Sequence, residues 1–430
     1  MLPVLIASAL IQTVPDTVKL GLRQAMDAAR REAYAAESAR SRSRELDAKS
    51  REAYSALLPQ VGATASDVIH SFDLPAMGLS FPAGEGASAF PNKVGPFNAQ
   101  DARVTGQIAL FDAPAWRRYK AATLDFEKGR LDAAQAEENV AVAAAEAYLE
   151  LSRERALMAS RQSELELAAQ LSDLTKAQKQ AGTATQIEVL RAEGQVSGAK
   201  SALAAAAGAE KRARYVLLRI LGMPLDVMPS LTDSLAMDKP AVPGETADAI
   251  ADRPDVQAAE MEKRSARANQ AAVKSSILPS LHLAGDYGLS GRRLNERAEW
   301  TETVALQLNW NLWDGGRRGS LKAQSSERVR QADLRSREVR SQAEEEARAT
   351  RATMEAAQEV AAFASEKMSL AEEEEALSRE RFKSGGSGNL EVITAQSSVS
   401  QAHLAYYDAL FAYQRARLEY LKSTHRLSAI

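Results

Sequence analysis

Cysteine is absent from the 430 residues. No disulfide can form and no cysteine can carry a lipid anchor, which suits a periplasmic or outer-membrane setting without disulfides. Aromatic residues are scarce at 5%, against 45% hydrophobic overall. Ala, Glu and Arg are abundant instead, and all three are strong helix formers. No run of about eighteen apolar residues occurs, so no membrane-spanning helix is expected. Strong charge bias is missing as well: the net charge of −3 and a pI near 6.0 give no electrostatic case for nucleic acid. Catalytic groupings are also lacking. His70, His282, His403 and His425 are scattered, with no partners at metal-ligand spacing. Ser384-Gly385-Gly386-Ser387-Gly388 lacks the Lys-Ser/Thr that would follow in a phosphate loop. Glu344–Glu346 and Glu372–Glu375 read as solvated helix faces. These absences argue against an enzyme, and no cofactor or metal is expected.

What is present is written twice. Gly182, Glu188, Val189, Ala192, Val196, Ala199, Ala202, Ala206, Arg212, Ala213, Arg214 and Leu218 recur as Gly385, Glu391, Val392, Ala395, Val399, Ala402, Ala405, Ala409, Arg415, Ala416, Arg417 and Leu421. Every pair is 203 positions apart without a gap. Such register implies an internal duplication and pseudo-symmetry. Leu58-Pro59 recurs as Leu278-Pro279 at an offset of 220, and Leu110-Phe111-Asp112 as Leu312-Trp313-Asp314 at 202, so the enclosed segments differ by 18 residues. The prolines end the helical patterns, because proline lacks the amide proton and pushes its predecessor out of helical geometry.

The enclosed segments alternate. After Pro279, Leu281, Leu283, Tyr287 and Leu289 oppose His282, Asp286 and Ser290. On the return, Trp300, Val304, Leu306, Leu308, Trp310 and Leu312 oppose Thr301, Thr303, Gln307, Asn309 and Asn311. Period two means strands with one apolar and one polar face. A sheet on a soluble core would show the same alternation, but the tryptophans favour a membrane. Ten residues at ~3.3 Å span roughly 33 Å, or roughly 23 Å when tilted by ~45°, close to the ~25 Å apolar band between aromatic girdles. Trp300 and Trp310 are the candidate girdle; Glu302 on the same face argues mildly against full lipid immersion. In the first half, Val61, Ala63 and Ala65 alternate with Gly62, Thr64 and Ser66, and Val104, Ile108 and Leu110 with Thr105, Gln107 and Ala109. The stretch from about Phe72 to Gln100 reads as a long exposed loop holding the 18 extra residues. Four strands cannot close a barrel, and an open edge cannot exist in lipid. If the strands cross a membrane, several chains share one barrel.

Elsewhere the patterns are helical, over about Val18–Leu58, Pro114–Gln180, Thr183–Leu221, Pro254–Leu278, Gly315–Ser384 and Asn389–Leu427. A helix of about 66 residues at ~1.5 Å rise is roughly 100 Å long, too long for one compact domain, so one elongated body is expected. Val392, Val399, Tyr406, Tyr413, Tyr420 and Leu427 recur every seven residues beside Ala395, Ala402, Ala409 and Ala416. That seam predicts a left-handed supercoil with close helix approach, and a purely structural coiled coil would show it too. Gly182-Thr183 and Gly385-Gly386 read as turns between antiparallel helices. Residues 1–17 resemble a signal-peptide remnant, with Met1–Ile11 apolar and Ala7-Ser8-Ala9 a possible cleavage pattern but no basic start. The organisation is then a first repeat (18–221) with a strand pair at about 60–112, a proline-rich connection (222–253), and a second repeat (254–430) with a strand pair at about 279–314.

These motifs resemble the TolC family of outer-membrane efflux proteins, from about Val18 to Leu427. The resemblance rests on Leu-Pro before each strand pair, "LFD" and "LWDGGRR" opening the long helices, "AGTATQIEVLRAE" and "SGGSGNLEVITAQ" at the hairpins, "LLRILGMP" closing the first half and "DRPDV" opening the second. It implies a mainly α fold with a small β part. Duplicated coiled-coil hairpins would join four strands per chain, which contribute to a trimeric 12-stranded transmembrane β-barrel. The implied function is an exit duct of tripartite efflux or type I secretion in the outer membrane of a Gram-negative bacterium, with a large periplasmic portion. The implied partners are two further copies, a periplasmic adaptor, and an inner-membrane RND or ABC transporter. The resemblance also places adaptor docking at the hairpin tips, Gly182, Thr183, Gly385 and Gly386. It puts a carboxylate aperture at Glu391, while Thr394 departs from the usual second acid. Glu391 could equally be a solvated helix residue like its repeat mate Glu188. The rival reading for the whole chain is a soluble periplasmic coiled-coil scaffold or adaptor without a barrel.

Overall fold

A computed structural model describes residues 17–79, 92–233, 247–294 and 298–427. The signal-like segment, the middle of the expected loop after Phe72, and Pro240 and Pro243 lie outside the described residues. In chain order the elements are β1 (Thr17–Leu20), α1 (Leu22–Glu32), α2 (Tyr34–Ser55), β2 (Gln60–Asp73), β3 (Lys93–Phe111), α3 (Ala113–Gln180), α4 (Gln186–Ile220), β4 (Met228–Leu231), α5 (Ala247–Ala251), α6 (Pro254–Ser275), β5 (Ser280–Gly291), β6 (Glu299–Asn309), α7 (Arg317–Lys383) and α8 (Asn389–Ser423). The duplication is visible in these boundaries. Shifting α4 by 203 residues gives α8, and shifting α2 by 220 gives α6, residue for residue.

Several elements differ from the sequence reading, among them β4 and α5, which lie in the connection expected to be irregular. The pattern over Val18–Leu58 is not one helix: β1 precedes α1, and Ala33, in extended geometry at φ −65° and ψ 132°, separates α1 from α2. The strands β2 and β3 are longer than the alternation indicated. They stay paired from Gln60↔Gln107 out to Asp73↔Lys93, so residues expected in a loop extend the ladder. At the other end β6 stops at Asn309, leaving Trp310 and Leu312 beyond the strand.

The chain forms two compact units, and neither follows the repeat boundaries. The physical reason is that each repeat pairs with the other: β3 hydrogen-bonds to β5 from Gln100↔Gly291 to Phe111↔Leu281, and the tip ends of α4 and α8 are tied by Asn389, whose Nδ2 donates to Glu188 O at 2.8 Å.

One unit takes in Met1–Ser43, Gly129–Ala259 and Arg335–Ile430. The expected seam is its core: Ala395, Ala402, Ala409 and Ala416 are buried, and Tyr413 and Tyr420 pack with Met354, Ala361 and Ala364 of α7. Alanine at these contacts lets backbones approach closely, and the tyrosine rings fill the space between. Near the strand pair β1–β4, Tyr148 is 1% exposed. Its hydroxyl donates to Leu20 O and accepts from Asp233 N, both at 3.1 Å. Arg253 of the "DRPDV" motif is a buried fork. It binds Asp255 (2.8 Å), Glu346 of α7 (2.7 Å) and the Ser423 carbonyl of α8 (3.0 Å).

The other unit takes in Arg44–Lys128 and Glu260–Leu334. Its sheet is antiparallel in the order β2-β3-β5-β6, with β2 and β6 as edges. Around it the helix ends pack through small buried residues, Ser50, Ser265, Ala272, Ser275 and Ser325. They are held by Lys263–Asp333 (3.1 Å) and by Gln270 Nε2 donating to Ser326 Oγ (3.1 Å).

Candidate functional site: the two-faced sheet and the hairpin tips

The register puts a set of large apolar residues on one side of the sheet, with Glu302 among them. Val61, Val104, Leu283, Tyr287, Trp300, Val304, Leu306 and Leu308 are exposed large hydrophobic residues that share this face across the four strands. An apolar face of this extent in contact with water is unstable and calls for lipid or protein against it. Trp300 stacks on Tyr287 across the ladder, with ring centroids 4.8 Å apart. Trp310, just past the strand, donates its indole N–H to Ile277 O at 3.1 Å. Trp313, and Trp116, unremarked in the sequence reading, are also exposed beyond strand ends. Three of the four tryptophans thus cluster in sequence where strands give way to helices.

The opposite face carries Gln60, Thr105, Gln107, Asp286, Thr303 and Gln307 around a cavity of about 490 Å³. Next along it, Arg103 bridges Asp101 and Asp286, the latter at 2.8 Å. One face suits hydrocarbon and the other water.

The hairpin tips are built identically. Gly182 (φ 78°) and Gly385 (φ 76°) both sit in the left-handed region. Thr183 N donates to Gln178 O at 2.9 Å, and Gly386 N to Arg381 O at 2.8 Å. Gly182 N donates to Lys179 O and Gly385 N to Phe382 O at 3.0 and 3.1 Å. These are paired helix-ending bonds of the kind glycine permits at no steric cost. Beside the tips, Ile187 and its repeat mate Leu390 are 62% and 56% exposed.

The two acids of the repeat differ. Glu188 closes a capping box: its carboxylate accepts from Thr185 N (2.6 Å) and Thr185 Oγ1 (3.0 Å), and its own N–H donates to Thr185 Oγ1 (3.3 Å). Those bonds hold the Glu188 carboxyl below its ordinary pKa. At the position of Thr185 the second repeat has Gly388, which has no side chain to cap with. Glu391 is therefore released to pair with Arg381 at 2.9 Å. It lies on an open groove of about 780 Å³ lined also by Glu373, Glu374 and Glu380. Thr394 Oγ1 donates to Leu390 O. Sequence reasoning singled out Glu391 but missed Arg381, whose repeat mate is Gln178; only the departure from repeat symmetry marks it.

Long helical hairpins attached to an edge-open antiparallel sheet with an exposed apolar face define the outer-membrane channel fold. The Campylobacter jejuni CmeC outer membrane channel superposes with a TM-score of 0.81 at 14% identity, covering 94% of this chain and 86% of that one. In sequence, the family model "Outer membrane efflux protein" matches residues 246–422. Outer membrane efflux protein BepC of Brucella suis biovar 1 (strain 1330) is 26% identical over 347 residues, covering 77% of this chain and 74% of its own. Nodulation protein T of Rhizobium leguminosarum bv. trifolii is 27% identical over 321 residues, 70% and 67% of the two chains. The chain is thus similar in sequence to outer-membrane efflux proteins and has the TolC-like fold.

Proposed function

We propose that this chain is one protomer of a homotrimeric exit duct in the outer membrane of a Gram-negative bacterium. It passes substrates of a tripartite efflux or type I secretion system across the periplasm and outer membrane. The observation that carries this reading is the sheet: an exposed apolar face opposite a polar one, and two unpaired edges, β2 and β6. In hydrocarbon each unpaired edge amide costs several kcal/mol, so the β6 edge of one copy pairs with the β2 edge of the next. Three chains of four strands give twelve. A helical surface also awaits a neighbour: Phe363, Leu370 and Leu377 recur every seven residues on α7 and are each at least 55% exposed. Within each copy, the described parts of the connection between the repeats carry β4 (Met228–Leu231) and α5 (Ala247–Ala251).

The tips at Gly182, Thr183, Gly385 and Gly386 are the docking points for a periplasmic adaptor, which links the duct to an inner-membrane RND or ABC transporter. The exposed Ile187 and Leu390 beside them are suitable apolar anchors. Glu391, freed from capping, lies at the periplasmic aperture, where three carboxylates around the axis favour cations. Arg381 attenuates each one.

The test is single-channel conductance of the detergent-purified protein in a planar bilayer, with Glu391→Gln and Arg381→Gln. The expected result is a cation-preferring channel whose preference falls in Glu391→Gln and rises in Arg381→Gln. A channel indifferent to both changes would discard the aperture. A protein that stays soluble without detergent and never inserts would instead be the coiled-coil scaffold.

A further inference from the structure

Where the strands meet the helices, the ends of α3, α6 and α7 enclose a cavity of about 570 Å³, entirely within the sheet-bearing unit. Seven charged side chains line it. Asp314 pairs with Arg318 at 3.1 Å, and Glu262 pairs with Lys128 at 3.7 Å, so both acids are already answered. Arg118, Arg317 and Arg328 remain, and among the described residues no acid pairs with any of them. Asp125 alone stands against the three. Elsewhere along these helices some arginines are bridged, as in Arg335–Glu338 and Arg351–Glu355. Here three unanswered guanidinium groups converge on one concavity.

The cavity belongs to the polar side of the sheet. Of residues 310–313 only Asn311 lines it, and Asn311 continues the series Thr303, Gln307 and Asn309. Trp310 and Leu312 continue the opposite, exposed series.

We infer that Arg118, Arg317 and Arg328 form a binding station for solutes carrying several oxyanion groups (phosphate, sulfonate or carboxylate) on the wall of the duct. The chemistry follows from the fork of each guanidinium, which matches two oxyanion oxygens and holds its charge at any working pH. A concavity of this size accepts a drug-sized solute. Neighbouring copies add two more stations at the same level, and low-dielectric walls focus their combined field.

The inference rests on the duct reading for its placement, while the site is testable alone. Inorganic tripolyphosphate is titrated calorimetrically into the full-length detergent-purified protein, at low salt and at about 0.15 M salt. Comparison is made with Arg118→Gln/Arg317→Gln/Arg328→Gln and with Asp125→Asn. The expected result is saturable binding by the unaltered protein, weakened at least ~10-fold in the triple variant and by salt, and tightened in Asp125→Asn. If the triple variant does not fold, Arg328→Gln alone is expected to weaken binding about threefold. No binding by the unaltered protein, or binding that these changes leave as it was, overturns the station. In bilayers the same anion is expected to reduce the single-channel current. Anion binding by a protein that opens no channel would leave the station standing and remove the duct. An open channel that does not bind the anion would do the reverse.

Discussion

His425 ends α8 in the left-handed backbone region, at φ 51°. Its repeat mate, Gly222, ends α4 in the same region at φ 68°, and both ends close with the same hydrogen bonds. Met223 N donates to Leu218 O, and Arg426 N to Leu421 O. Only glycine adopts that geometry without cost; other residues lose roughly 1–2 kcal/mol there. The histidine is kept in place by its Nδ1, 2.6 Å from Glu138 Oε1, a carboxyl whose pKa burial pushes up. Two substitutions separate the effects. His425→Ala and His425→Gly both lose the Glu138 contact, but only alanine keeps the backbone penalty. Thermal unfolding should show His425→Gly the more stable of the two, by about 1 kcal/mol. Equal stability would mean that the chain relaxes out of the left-handed region once the ring is gone. Nothing in the local pattern around His425 marks this conformation. It is legible only when the two repeats are laid over each other.

At the scale of elements, legibility followed locality. The seven-residue seam of α8, the four long helices of the two hairpins and the helix stops before Pro59 and Pro279 are set by residues near one another in sequence, and the structure has them all. The pairing of β1 with β4 joins Thr17–Leu20 to residues 211 positions away in a proline-rich segment, and four residues are too few for a periodic signal. Likewise the outer part of β2 and β3, past Ser66, is held by its cross-strand partner rather than by alternation of its own.

The Arg253 fork is a third case of long-range assembly, joining the start of α6 to α7 and α8. Burial alone would push the Asp255 carboxyl up, but the Arg253 hydrogen bonds and charge, with the Val256 amide, hold it below its ordinary value. A carboxylate with a depressed folded pKa stabilises the fold above its unfolded pKa, near ~3.9, and loses that contribution as pH falls through the folded value. Arg253→Met should therefore destabilise the helical unit by about 2–4 kcal/mol at neutral pH, since it strands a partly buried carboxylate. The difference from the unaltered protein should narrow below about pH 3.9. A chemical-denaturation series across pH measures both. A gap that stays constant into acid would separate Asp255 from the fork's stabilising role.

For the whole molecule, the decisive features are those one chain leaves unfinished: two bare sheet edges, an apolar face turned outward and a heptad row on α7 without a partner. In the trimer proposed above, a three-fold rotation about an axis on the polar side of the sheet joins the two bare edges between copies and leaves the apolar face to lipid. The absence of cysteine makes that operation directly measurable, because the only thiols present are those introduced. The most direct measurement is native mass spectrometry of the protein released from detergent, combined with disulfide trapping between one cysteine placed on β2 and one on β6. The account predicts a particle of three times the 46.4 kDa chain mass, and β2–β6 links that join separate chains into covalent trimers. A monomer of the single-chain mass, or links formed only within one chain, would contradict it.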